Sequence, residues 1–169
     1  LEYVPYIYTP LYFYLSAFIA WFTGVGYFPA RLISFLAALG CGGLIYRWAR
    51  NEGGSRTHAL IGAGLFFAPY KLSGRWFDVA RIDSLHVFLT ALGCYVLYFY
   101  RGAKAAALSA LIFTAAFFTK QSALLMALPV MAACFISHRR DAVYAGALFA
   151  GLTLALCLIA DAHSGGWFN

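Results

Sequence analysis

Lys71, Arg75, Asp78, Arg81 and Asp83 fall within one short polar stretch, and a second one, Thr119-Lys120-Gln121-Ser122, interrupts two apolar runs further on. Guanidinium groups grip phosphate oxygens through paired hydrogen bonds, and lysine adds a point charge. Lys71, Arg75, Arg81 and Lys120 are therefore candidates for holding the phosphate of a lipid at a membrane boundary. Internal pairing is the alternative, because Asp78 and Arg81 stand three residues apart and Asp83 is close by. Ionisable groups beside membrane spans are costly and persist where they face a polar cavity, bind a ligand or pair with one another.

The acids admit two chemistries. Asp78 and Asp83 could act as a general base or as oxygen ligands of a divalent cation. His86, three residues after Asp83, and His163, two after Asp161, would be the accompanying imidazoles, although a hydrogen-bonded interfacial histidine is the commoner outcome. Lys120 at the end of a span can reach the same phosphate, while Gln121 either bonds a sugar hydroxyl or closes a helix end. Tyr3, Tyr6, Tyr8, Tyr12 and Tyr14 crowd one segment. They are interfacial anchors or, for Tyr8 and Tyr12 in particular, the lining of a sugar- or lipid-binding groove. Cys41, Cys94, Cys134 and Cys157 lie far apart in apolar runs, without metal-ligand spacing, and read as packing residues.

What must position these groups follows from composition. Of 169 residues, 63% are hydrophobic and only 11% charged, against about a quarter charged in a soluble domain. A water-soluble enzyme of this size could not cover its surface, and the 19% aromatic content excludes intrinsic disorder. The expected fold is all-α, a polytopic transmembrane helix bundle with spans near Pro29–Trp48, Thr57–Leu72, Ser84–Tyr100, Lys104–Thr119, Ser122–Ser137 and Ala142–Asp161. Residues 1–28 read as an external loop and a juxtamembrane helix begun by Pro10, and residues 162–169 as the start of another external loop. Arg47, Arg50 and Arg56, then Arg101 and Lys104, then Arg139 and Arg140 occupy alternate gaps. The positive-inside tendency turns those gaps to the cytoplasm and the mixed-charge segments outward. Starting at Leu1 rather than methionine, the sequence is expected to be part of a longer chain.

The order of motifs resembles a known superfamily. Tyr8-Thr-Pro-Leu-Tyr-Phe-Tyr14, then Ala30-Arg31-Leu-Ile-Ser34 opening a span that ends Tyr46-Arg-Trp-Ala-Arg50, is similar to the C-type glycosyltransferases. Trp76-Phe-Asp-Val-Ala-Arg-Ile-Asp-Ser84 and Phe117-Phe-Thr-Lys-Gln-Ser-Ala-Leu124 resemble an external loop and a turn of the branch related to protein O-mannosyltransferases and lipid A aminoarabinose transferases. The resemblance implies a multi-pass enzyme of the inner or plasma membrane. Such an enzyme transfers a sugar from a polyprenyl-phosphate carrier to a glycan, lipid or protein acceptor on the external face, with membrane lipids as further partners and no nucleic acid. It also implies an acid on the first external loop that deprotonates the acceptor, with Arg75, Arg81 and Lys120 stabilising the departing phosphate. Glu2 is the acid this sequence offers there, beside Asp78 and Asp83, while Tyr8 and Thr9 stand before Pro10 where many relatives carry a glutamate. The principal acid is therefore expected upstream of Leu1, and this stretch alone is expected to be inactive. No cofactor is required by these residues beyond a possible divalent metal ion. A transporter or lipid-handling protein is the main alternative, one whose charges would line a passage near the midplane.

Overall fold

In a computed structural model of the chain, residues 9–75, 77 and 79–164 are described, and among them every regular element is helical. Helix α1 (Leu11–Thr23) follows Pro10 and stops at Gly24, whose positive φ of 88° suits glycine. Helix α2 (Tyr27–Asn51) runs through the alanine- and glycine-rich stretch where hydropathy puts the first span. Helix α3 (Arg56–Phe67) is started by Ser55, whose hydroxyl accepts the His58 N–H as an N-cap. It ends earlier than hydropathy predicts, giving way to a 3-10 turn over Ala68–Tyr70, because Pro69 has no backbone N–H to continue the α-helical hydrogen bonds although Ala68 keeps helical φ and ψ. Helices α4 (Asp83–Phe99), α5 (Ala103–Phe117), α6 (Ala123–Ser137) and α7 (Arg139–Ser164) complete the bundle.

Small residues let these helices approach closely, as expected where lipid removes much of the hydrophobic drive for helix association. A Cβ on Gly93 of α4 would stand 2.9 Å from the ring of Phe113 on α5. At the same crossing the buried Ser109 hydroxyl donates to the Gly93 carbonyl at 2.9 Å. Gly42 of α2 leaves similar room for Phe67 of α3. One core joins α4 to α7 through Leu97, Phe113, Met131 and Phe149. A second ties α1 and α2 to the start of α4 through Tyr12, Ile33, Ile82 and Leu85.

The outside of the bundle is apolar as well. Trp21 is 86% exposed, Leu125 70% and Ile136 87%, a surface suited to hydrocarbon rather than water. Helices α2 and α7, of 25 and 26 residues, are long and apolar enough to cross a bilayer unaided. Helices α4, α5 and α6, with 17, 15 and 15 residues, are shorter than the roughly 20 residues that spanning ordinarily takes.

Candidate functional site

The start of α4 and the corner between α5 and α6 meet at one end of the bundle. Asp83 lies in the first turn of α4, where the helix dipole favours a carboxylate. Its Oδ1 accepts from Lys120 Nζ at 2.8 Å, and its Oδ2 faces Arg81 Nε at 3.3 Å. With side-chain exposures of 23% for Asp83 and 30% for Lys120, this pair is shielded more than an ordinary surface ion pair.

Lys120 is aimed by a rigid corner. The Lys120 N–H donates to the Ala116 carbonyl, and the Lys120 carbonyl accepts from Ala123, so the chain reverses within a few residues. Thr119 is wholly buried there, its hydroxyl donating to the Ala115 carbonyl at 2.9 Å. The start of α1 clamps the corner from outside, with Thr9 Oγ1 donating to the Phe117 carbonyl at 2.7 Å and the Leu11 N–H to that of Phe118 at 2.8 Å.

Arg81 and Asp83 are held from the other side by a hydrogen-bond chain across three segments. The Tyr12 hydroxyl donates to the Ala30 carbonyl at 2.8 Å and meets Ser34 Oγ at 3.1 Å. Ser34 in turn donates to the Arg81 carbonyl at 2.9 Å. Burial pushes the Tyr12 phenol above its ordinary value of 10.0, the Ser34 hydrogen bond opposing this only in part, so the hydroxyl remains a donor at neutral pH. Ser34→Ala is expected to remove the hydrogen bond to the Arg81 carbonyl and cost about 0.5–1.5 kcal/mol of stability, measured as a lower thermal unfolding midpoint in detergent.

The structure thus joins Asp83, Arg81 and Lys120, and the internal ion pairing considered for this region is present. Tyr12, a candidate groove residue, is 3% exposed and ties α1 to α2 instead of presenting its hydroxyl to a ligand. His86 is buried, with Nε2 3.3 Å from the Ser122 hydroxyl and Nδ1 without a hydrogen-bond partner among the described residues. This is the hydrogen-bonded histidine that the sequence left as the commoner outcome. Gln121 is exposed at the corner, and Lys71 and Arg75 are exposed on the loop after the 3-10 turn. Arg75 sits there with φ of 61°, a left-handed conformation uncommon outside glycine. Glu2, Tyr8 and Asp78 lie outside the described residues. Among the described residues no three His, Cys, Asp or Glu side chains gather as a metal site would require. Ser34 and Ser122 hold positions that residue type alone does not reveal, although Ser34 stands in the Ala30–Ser34 motif and Ser122 in the Thr119–Ser122 turn.

Two hollows adjoin this end. One of about 200 Å³ is lined by Asp83 and Ser84 with Ala38, Cys41, Phe66 and Phe77, so the carboxylate borders an apolar recess. Another of about 600 Å³ lies between α1, α5 and α7, from Leu11 and Phe118 to Leu156 and His163. The arrangement can hold an anionic group beside cations while accommodating apolar chain next to it.

A helical bundle with an apolar outer surface agrees with a membrane glycosyltransferase of the C type, the class that the family match implies. The chain belongs to the dolichyl-phosphate-mannose-protein mannosyltransferase family, whose model matches residues 7–163. No curated protein and no solved structure matches it.

Proposed function

We propose that the protein transfers a sugar from a polyprenyl-phosphate donor to an acceptor hydroxyl at the Asp83–Lys120 end of the bundle, the end facing away from the cytoplasm. The observation that carries this reading is the convergence of Lys120 and Arg81 on Asp83 beside apolar hollows. A lipid-linked phosphate needs both surroundings. The basic loops at the other end support the orientation.

A carboxylate takes the proton of the acceptor hydroxyl, whose oxygen attacks the anomeric carbon. The bond from that carbon to the phosphate oxygen breaks with inversion, and its electron pair stays on the polyprenyl phosphate. Lys120 and Arg81, with Lys71 and Arg75 on the neighbouring loop, offset the charge that grows on this leaving group. Because both oxygens of Asp83 are occupied by cations, Asp83 serves to aim Lys120 and Arg81, leaving proton removal to Asp78, Glu2 or an acid upstream. The isoprenoid chain lies in the hollow between α1, α5 and α7. Gln121 bonds a sugar hydroxyl.

The test supplies the intact protein, in sealed vesicles, with radiolabelled polyprenyl-phosphate sugars of several hexoses and pentoses. Label should pass from the polyprenyl phosphate to an acceptor with inversion at the anomeric carbon. Transfer from nucleotide sugars alone, with every polyprenyl-phosphate sugar inert, would exclude the proposal.

A further inference from the structure

The opposite end of the bundle holds a cavity of about 480 Å³, lined by polar and apolar groups alike, where the ends of α2, α4 and α6 meet, within the roughly 300–1,000 Å³ usual for small-molecule sites. Glu52, Tyr98, Arg101, Ser137 and His138 line it, over an apolar floor that includes Phe99. Asp83 and Tyr98 stand near the two ends of α4, about 22 Å apart at 1.5 Å per residue, so this cavity is separate from the site described above.

Its charges are arranged unusually. Glu52 and Arg101 share the lining, yet among the described residues neither forms an ion pair. Arg101 makes only a long 3.4 Å hydrogen bond to the Leu97 carbonyl, and Glu52 lies beside the Tyr98 hydroxyl. A carboxylate and a guanidinium that border one cavity without meeting suit a ligand carrying both charges. The guanidinium fork fits phosphate oxygens, with a His138 ring N–H as a further donor. A carboxylate that shares the lining with the hydroxyls of Tyr98 and Ser137 fits a primary ammonium. Beside the cavity the outer faces of Phe135 and Ile136 are exposed, and Arg139 lies over the Phe135 ring at 5.0 Å, the mixture of apolar and cationic groups found at headgroup depth.

We propose that this cavity binds the headgroup of a phosphatidylethanolamine-type aminophospholipid, its phosphate toward Arg101 and His138 and its ammonium toward Glu52. Basic residues crowd the same rim, from Arg47 and Arg50 on α2 to Arg139 and Arg140 on α7. By themselves they would favour an acidic lipid. Glu52 inside the cavity reverses that preference, because it repels a net anion and attracts an ammonium.

The test purifies the intact protein in detergent, offers it equal amounts of phosphatidylethanolamine, phosphatidylcholine and phosphatidylglycerol, and measures retained lipid by mass spectrometry alongside thermal stabilisation. Phosphatidylethanolamine should be retained about tenfold over the others, in keeping with one charge-assisted hydrogen bond. Arg101→Gln should weaken its retention about tenfold, and Arg56→Gln, outside the cavity, should leave it unchanged. Glu52→Lys should turn the preference toward phosphatidylglycerol, a gain that misfolding cannot produce. Wild-type retention of phosphatidylglycerol equal to or above that of phosphatidylethanolamine, or an unaltered ratio in Glu52→Lys, would overturn the proposal. Equal thermal protection by free phosphoethanolamine at the same concentration would overturn the lipid as its source.

Discussion

Lys120→Ala is expected to lower sugar transfer by about 100- to 1,000-fold, the usual loss when one positioned group that stabilises developing negative charge is removed. The loss should fall on kcat, because the charge on the phosphate grows as the sugar departs. A purely structural Lys120–Asp83 pair predicts something different. Its removal would cost on the order of 1 kcal/mol of stability, given the partial exposure of both groups, and would leave the turnover of folded protein intact. Thermal unfolding and transfer kinetics on the same preparation separate these outcomes. Asp83→Asn supplies the second arm, since the amide keeps the shape of the side chain but loses the charge that draws in Lys120 and Arg81. The double variant should lose less than the product of the two single losses, because part of the effect of Asp83 runs through Lys120 and only the rest through Arg81. Full additivity of the two losses would contradict that role.

Phe113→Ala is expected to be the most damaging change to the fold itself. Phe113 is fully buried between α4 and α7, its ring 6.0 Å from that of Phe149. Several of its neighbours in that core are alanines, Ala106, Ala110, Ala127 and Ala145 among them, and these cannot extend into a vacated space. In a bilayer the unfolded reference is also surrounded by hydrocarbon, so the transfer part of the usual cost is small and the cavity part dominates. At about 24 cal/mol per Å³ over roughly 100 Å³ lost, that part is about 2.4 kcal/mol. Gly93→Val attacks the same crossing from the opposite direction, by overpacking, and should cost about 1–3 kcal/mol. Unfolding in mixed micelles checks both. Unchanged stability in Phe113→Ala would mean that the helices close the gap by sliding together.

Much of this architecture was legible from the chain, because hydropathy is a local property and a helix satisfies its own backbone wherever lipid surrounds it. Helices α2 to α7 therefore cover the six apolar runs in order, and α1 follows Pro10. Pro69 ended α3 sooner than the run of apolar residues suggested, a backbone effect that a hydropathy average does not register. The candidate cluster was legible as a set of residue types: Arg81, Asp83 and Lys120 stood out because charge is rare in this composition.

Partnership was not legible. Lys120 and Asp83 are 37 residues apart, and Ser34 and the Arg81 carbonyl are 47 apart. Nothing in either segment alone says that their helices are neighbours. Tyr12 shows the same gap. Its sequence allows an interfacial ring or a groove residue, and only the packing of α1 on α2 shows the ring buried with its hydroxyl on Ala30 and Ser34. The sequence by itself determined the helices, their apolar outer surfaces and the few charges available for chemistry, since those depend on each residue and its near neighbours. The tertiary structure decided which charge meets which, because an ion pair or hydrogen bond forms only within a few ångströms, and that distance between remote segments is set by how the helices cross.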